Sequence, residues 1–98
     1  MSESGQDLFL EMQERTKLLD TALNQLGKRG REYAACEQKY KEALSKKILI
    51  ERKNGTPVTI MSDLCRGDTE IAQLRFERDV AEVVYKAAME AINIYKLE

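Results

Sequence analysis

The sequence contains no histidine and no tryptophan, one proline and two cysteines. Lack of histidine removes Ser-His and Cys-His nucleophile pairs and most zinc or non-haem iron sites. Acidic pairs such as Glu77/Asp79 and Asp79/Glu82 lack the Glu-x-x-His motif of carboxylate metal bundles, so they read as a solvated face. The two thiols, Cys36 and Cys65, have no metal-ligand spacing, and nothing in the sequence requires them to pair. Gly27-Lys-Arg-Gly30 lacks the Gly-Lys-Ser/Thr ending of a phosphate loop. No apolar run approaches the ~20 residues of a membrane span. The first residues, Met-Ser-Glu-Ser-Gly-Gln-Asp, have neither the basic start nor the apolar stretch of a signal peptide. These absences point to a cytoplasmic, non-enzymatic chain with no metal, no cofactor and no membrane contact.

The residues that are abundant belong to long helices. Of 98 residues, 34% are charged and 43% hydrophobic, which is enough apolar material at regular spacing to form packed helical seams. Met12, Leu19, Leu26, Tyr33 and Tyr40 recur every seven residues, with Leu23, Cys36, Ala43 and Leu44 beside them. A seven-residue apolar repeat belongs to a helix packed along its length on a partner. The lone proline falls in Asn54-Gly55-Thr56-Pro57, where Gly55 suits a left-handed helix cap and Pro57 stops propagation.

One helical domain over 1–98 follows: a helix over about 5–53, a turn at 54–58, a short helix over about 59–66 and a helix over about 68–97. Ser4 with Asp7, then Thr59, then Asp68 are the expected N-caps. The fold expected is all-α, a long antiparallel helical hairpin of coiled-coil character associating into an oligomeric bundle. The alternative is a three-helix bundle broken at Gly27–Gly30, where two glycines weaken a helix by about 2 kcal/mol relative to alanine. Against that break, Leu26 to Tyr33 keeps the seven-residue spacing across it, which a turn has no reason to preserve.

The last helix carries two adjacent seams, one of Val80, Val84, Ala87, Ala91 and Ile94, the other of Ala81, Tyr85, Ala88, Ile92 and Tyr95. One partner helix cannot cover so wide an arc. At ~1.5 Å per residue the first helix is also much longer than the last. Leu8, Phe9, Leu10 and Met12 therefore project beyond it, and these four with Leu19 and the first seam are the candidate interface to a second copy or another protein.

Charge is segregated as well. Residues 1–26 hold two Lys/Arg against five Asp/Glu, residues 27–53 nine against four, and residues 54–98 five against eight. An antiparallel fold would lay the acidic last third along the basic middle. The alternative is a polyanion patch of Lys28, Arg29, Arg31, Lys46, Lys47 and Lys53, which would bind nucleic acid without base specificity. Arg66-Gly67-Asp68 spells an adhesion tripeptide but reads as a helix junction.

The stretch Pro57-Val-Thr-Ile-Met-Ser-Asp-Leu-Cys-Arg-Gly-Asp68, followed by Leu74-Arg-Phe-Glu-Arg-Asp-Val-Ala-Glu82 and Tyr85-Lys-Ala-Ala88, resembles small helical proteins of no assigned activity encoded by phages and prophages of Gram-positive bacteria. The resemblance covers residues 57–97 and brings no catalytic or ligand motif. It implies a bacterial host cytoplasm or a virion, and admits a virion assembly or scaffold role. Secreted helical hairpins of type VII secretion differ, since they carry Trp-x-Gly at their turn. The function expected is a self-associating helical interaction module.

Overall fold

A computed structural model describes the backbone of residues 2–97 and the side chains of residues 5–95. The described residues form three helices: α1 (Ser2–Lys53), α2 (Val58–Gly67) and α3 (Thr69–Leu97). No strand occurs among the described residues. The molecule is a rod with extents of 81 × 16 × 16 Å. Its radius of gyration is 22.4 Å, against about 13 Å for a compact domain of this length.

α1 runs unbroken through Gly27 and Gly30, so the chain makes no turn there and the three-helix bundle broken at that point does not form. Same-helix pairs such as Glu11–Arg15 and Glu37–Lys41 line its exposed side. The helix begins at Ser2, so the cap expected at Ser4 falls inside it; the Ser4 side chain lies outside the described residues. Its other end closes as a Schellman motif. Gly55 takes φ +75°, its N–H bonds to the Arg52 carbonyl at 3.1 Å, and the Thr56 N–H bonds to the Glu51 carbonyl at 3.0 Å.

α2 starts one residue before the cap expected at Thr59. Pro57 holds the N-cap position and no side chain caps the helix. Pro57 has φ −59° there, and its carbonyl accepts the Ile60 N–H at 3.2 Å, so a first-turn donor is satisfied without a threonine side chain. At the next junction Asp68 accepts the Ile71 N–H at 3.0 Å, capping α3 as the sequence suggested.

α3 runs back along α1 in antiparallel register. Tyr33 and Tyr85 rings lie 5.9 Å apart. Arg78 sits 4.5 Å over the Tyr40 ring. Lys47 approaches Asp68 at 3.6 Å. At the far end Tyr95 lies beside Leu18 and Leu19. The seam α3 turns to α1 is therefore Ala81, Tyr85, Ala88 and Ile92, with Ile92 buried at 4%.

The two glycines of α1 differ in what surrounds them. A Cβ on Gly30 would stand 3.2 Å from Tyr85 Cε1, so the glycine lets the tyrosine ring lie against the helix backbone. A Cβ on Gly27 would meet only the flexible tip of Arg31 at 3.3 Å. Gly27→Ala is expected to stabilise the chain by about 0.5–1 kcal/mol through helix propensity. Gly30→Ala gains the same propensity but displaces the Tyr85 ring, so it should be the less stable variant by about 1 kcal/mol, the low end of overpacking costs. Thermal melts of the two variants side by side check this ordering; equal melts would remove the role given to Gly30.

Candidate interaction surfaces

The described residues bury little. Only Cys65, Ile71 and Ile92 are buried among the apolar ones, while seventeen large apolar side chains are exposed. Most of the exposed set gathers on three surfaces, with Leu18, Leu23, Leu49, Ile50 and Tyr95 outside them, and each surface follows from how the helices are placed.

The first is the overhang. α3 ends level with Leu18 and Leu19, so the first turns of α1 have no helix against them. Leu8, Phe9 and Met12 continue the line of Leu19, Leu26 and Tyr33 past that end, with Phe9 60% exposed. Phe9 and Met12 edge a shallow hollow of about 430 Å³. Leu10 is exposed too but falls off this line, and Leu19 is half-buried beside Tyr95 instead of free. Thr16 and Thr21 satisfy their hydroxyls on the Met12 and Lys17 carbonyls of their own helix, which leaves the surface more apolar than its sequence suggests.

The second surface is the side of α3 turned away from α1. Val80, Val84 and Ile94 are exposed there as large apolar groups, with Ala87 exposed and Ala91 half-buried. Phe76 at 62% and Val83 at 67% belong to the same stripe and were missed by a division into two seams. The signal was present: Phe76, Val80, Val83 and Ala87 are spaced four, three and four apart, the spacing of one helix face.

The third lies at the turn end, where α2 closes a cleft of about 390 Å³ against the other two helices. Leu44 and Ile48 of α1, Met61 and Cys65 of α2 and Ile71 of α3 line it, with Arg66 and Arg75 also on its walls. Val58, Ile60 and Leu64 are exposed on α2 nearby. Helical periodicity alone does not reveal this cleft, because it depends on how Pro57 and Asp68 aim α2.

No family model, curated protein or solved structure matches the chain. Its surfaces therefore carry the functional reading by themselves.

The basic segment is dispersed along one helix. Arg29 pairs with Glu32 at 3.1 Å, and Lys47 pairs with Glu51 at 3.1 Å and Asp68 at 3.6 Å. Lys28, Arg31, Lys46 and Lys53 are exposed over a length of about 37 Å at ~1.5 Å per residue. The structure does not bring these six residues into one patch. Nor does the acidic last third neutralise the basic middle: among the described residues Lys47–Asp68 is the one ion pair joining α1 to α3. Aromatic packing and the Arg78–Tyr40 contact hold the seam instead. Glu82–Lys86, at 2.9 Å, lies within α3.

Among the described residues no group of three or more His, Cys, Asp or Glu is placed to hold a metal, and no helix is long and apolar enough to cross a membrane. The shifted carboxyl groups serve the turn. The Thr56 hydroxyl donates to Glu51 at 2.6 Å and, with Lys47, holds that carboxyl below its ordinary range. The Ile71 N–H and then Lys47 do the same for Asp68. The bond to Glu51 keeps Lys47 charged above its ordinary range.

The linkage sign follows. A carboxyl whose pKa is lowered by folding stabilises the fold above its unfolded value and loses that contribution as pH falls. Lys47, raised by folding, contributes at and below its ordinary range and loses it only in strong alkali. Stability is therefore expected to fall as pH drops through roughly 4. The variant Glu51→Gln/Asp68→Asn should be weaker at pH 7 and show a shallower acid limb. Urea midpoints at pH 7, 5 and 3 check this; parallel acid limbs would show that the turn does not govern the response.

Proposed function

We propose that this chain is a non-catalytic helical interaction module, a long hairpin that reaches its working form by self-association. Its surface area carries the reading. The accessible surface is 7733 Å², whereas a compact monomer of 11.2 kDa exposes about 5,700 Å². The excess of about 2,000 Å² per chain exceeds the ~800 Å² that each partner buries in a standard interface. It is also apolar where it counts, on the overhang, the outer stripe of α3 and the cleft.

Two helices side by side bury little: in their seam Ile92 is buried, while Ala81, Tyr85 and Ala88 keep one flank open to water. A second pair of helices closes those flanks, as in a four-helix bundle. The bundle then presents its charged outer faces to whatever it serves. The resemblance of residues 57–97 to phage and prophage proteins would place such a bundle in a bacterial host cell or a virion.

Light scattering behind size exclusion, at two salt concentrations, tests the proposal. The expected mass is a whole multiple of 11.2 kDa at micromolar concentration, unchanged or increased by salt because apolar burial drives it. A monomer under all conditions would sink the reading.

A further inference from the structure

The rod has a different number of helices at each level. Along residues 2 to about 17 of α1 there is one helix, because α3 ends beside Leu18 and Leu19. Along the middle there are two, held by Tyr33 against Tyr85 and Tyr40 under Arg78. From about Tyr40 to Lys53 there are three, because α2 joins Leu44, Ile48 and Ile71 around the cleft. One, two and three are complementary under reversal. A second copy laid alongside and turned end for end sets one helix against three, two against two, and three against one. We propose that the chain forms an antiparallel, full-overlap dimer in which the overhang of each copy docks at the turn-end cleft of the other, giving four helices at every level. This inference rests on the self-association reading and adds to it the partner face and the register.

Three observations carry it. Reversal about the midpoint of α1 (Ser2–Lys53) brings residues 2–15 opposite residues 40–53 of the other copy, the level of the cleft. Leu8, Phe9 and Met12, exposed in the single chain, then lie level with Leu44, Ile48, Met61 and Cys65, which line the cleft.

Charge agrees with the register. Residues 5–14 carry Asp7, Glu11 and Glu14 and no basic residue, a net of −3. Residues 46–66 carry five Lys/Arg against two Asp/Glu, a net of +3. An end-to-end dimer through two overhangs would instead oppose like charges.

The last turns of the outer stripe fit the same symmetry. With Tyr33 opposite Tyr85 and Arg78 over Tyr40, the two-fold axis falls near Glu90 and Ala91, so Ala87, Ala91 and Ile94 meet the same stretch of the second copy, while Phe76 and Val80 lie level with its overhang. Extents of 16 × 16 Å for the single rod leave room for a second one beside it at ordinary helix spacing of about 10 Å.

The test combines length with position. Phe9 is replaced by p-benzoyl-phenylalanine, an aromatic in place of an exposed aromatic that leaves the monomer's own packing alone. The sample is characterised by light scattering and small-angle X-ray scattering, then irradiated and digested. The expected result is a dimer mass, a maximum dimension still close to 81 Å, and cross-links into residues 40–66 of the other copy. Cross-links into residues 5–18 with a dimer mass would overturn the arrangement while sparing self-association. Such an end-to-end dimer would measure about 140 Å at ~1.5 Å per residue. Cross-links confined to the middle of either long helix would likewise overturn the register, and a monomer mass would overturn both readings.

Discussion

Val83→Asp is expected to leave each chain folded and to dissociate the assembly. Val83 is 67% exposed in the single chain and lies in the outer stripe of α3, beside a shallow hollow lined also by Phe76, Val80, Val84 and Asp79. A charge there disturbs nothing within one molecule, because the side chain already faces water. In the associated state the same position is covered, and a two-fold interface contains it twice. Losing a buried valine contributes about 1.5–3 kcal/mol, so two copies lose about 3–6 kcal/mol before any charge is desolvated. That corresponds to affinity weakened by about a hundredfold to ten-thousandfold. Sedimentation over a dilution series reads the dissociation directly, and circular dichroism reports whether helix is retained. A variant that keeps the mass of the parent would show that the stripe is not an interface, whatever else associates.

Much of the helical layout was legible before the structure. The seven-residue spacing of Leu26 and Tyr33 across Gly27–Gly30 argued for one continuous helix, and α1 is continuous. Asn54-Gly55-Thr56-Pro57 marked the reversal because a glycine free to take positive φ, with a proline two residues on, ends a helix, and Gly55 has that φ. Periodicity worked in these places because it reports on a helix's own geometry.

It failed where the answer depended on a second element. Gly30 looked like a weak place, and its reason is the ring of Tyr85, which comes from 55 positions later in the chain. Phe76 and Val83 escaped notice because two seams drawn in advance left no room for a third set. The basic middle was expected to meet the acidic last helix, yet charges on long side chains flank a seam without having to cross it. Among the described residues, Lys47 reaches across to Asp68, the cap of the last helix, near the turn where the helices are tied closest in sequence. The burial of Cys65 was equally out of reach, since a ten-residue helix packs in whatever direction its two junctions allow.

The outer and inner faces of α3 can be separated by two substitutions two residues apart. Ile92 is 4% exposed and packs toward α1, whereas Ile94 is 58% exposed on the outer stripe. Ile92→Ala removes buried carbons and leaves a cavity, so it should destabilise the chain by about 2–5 kcal/mol. For a chain of this length that is a fall in melting temperature of roughly 10–30 °C. The loss should appear at every protein concentration, because the contact lies within one molecule. Ile94→Ala removes the same atoms from a side chain that is exposed in the single chain and that the proposed second copy would cover. Its effect should therefore lie in the concentration-dependent part of the stability, where association adds to the folding free energy by mass action. Thermal melts of both variants over a hundredfold range of concentration distinguish the two. If the variants lose stability equally and with the same concentration dependence, then Ile92 and Ile94 do not face different partners. The division of α3 into an inner and an outer face would then be wrong, and with it the surface on which self-association is built.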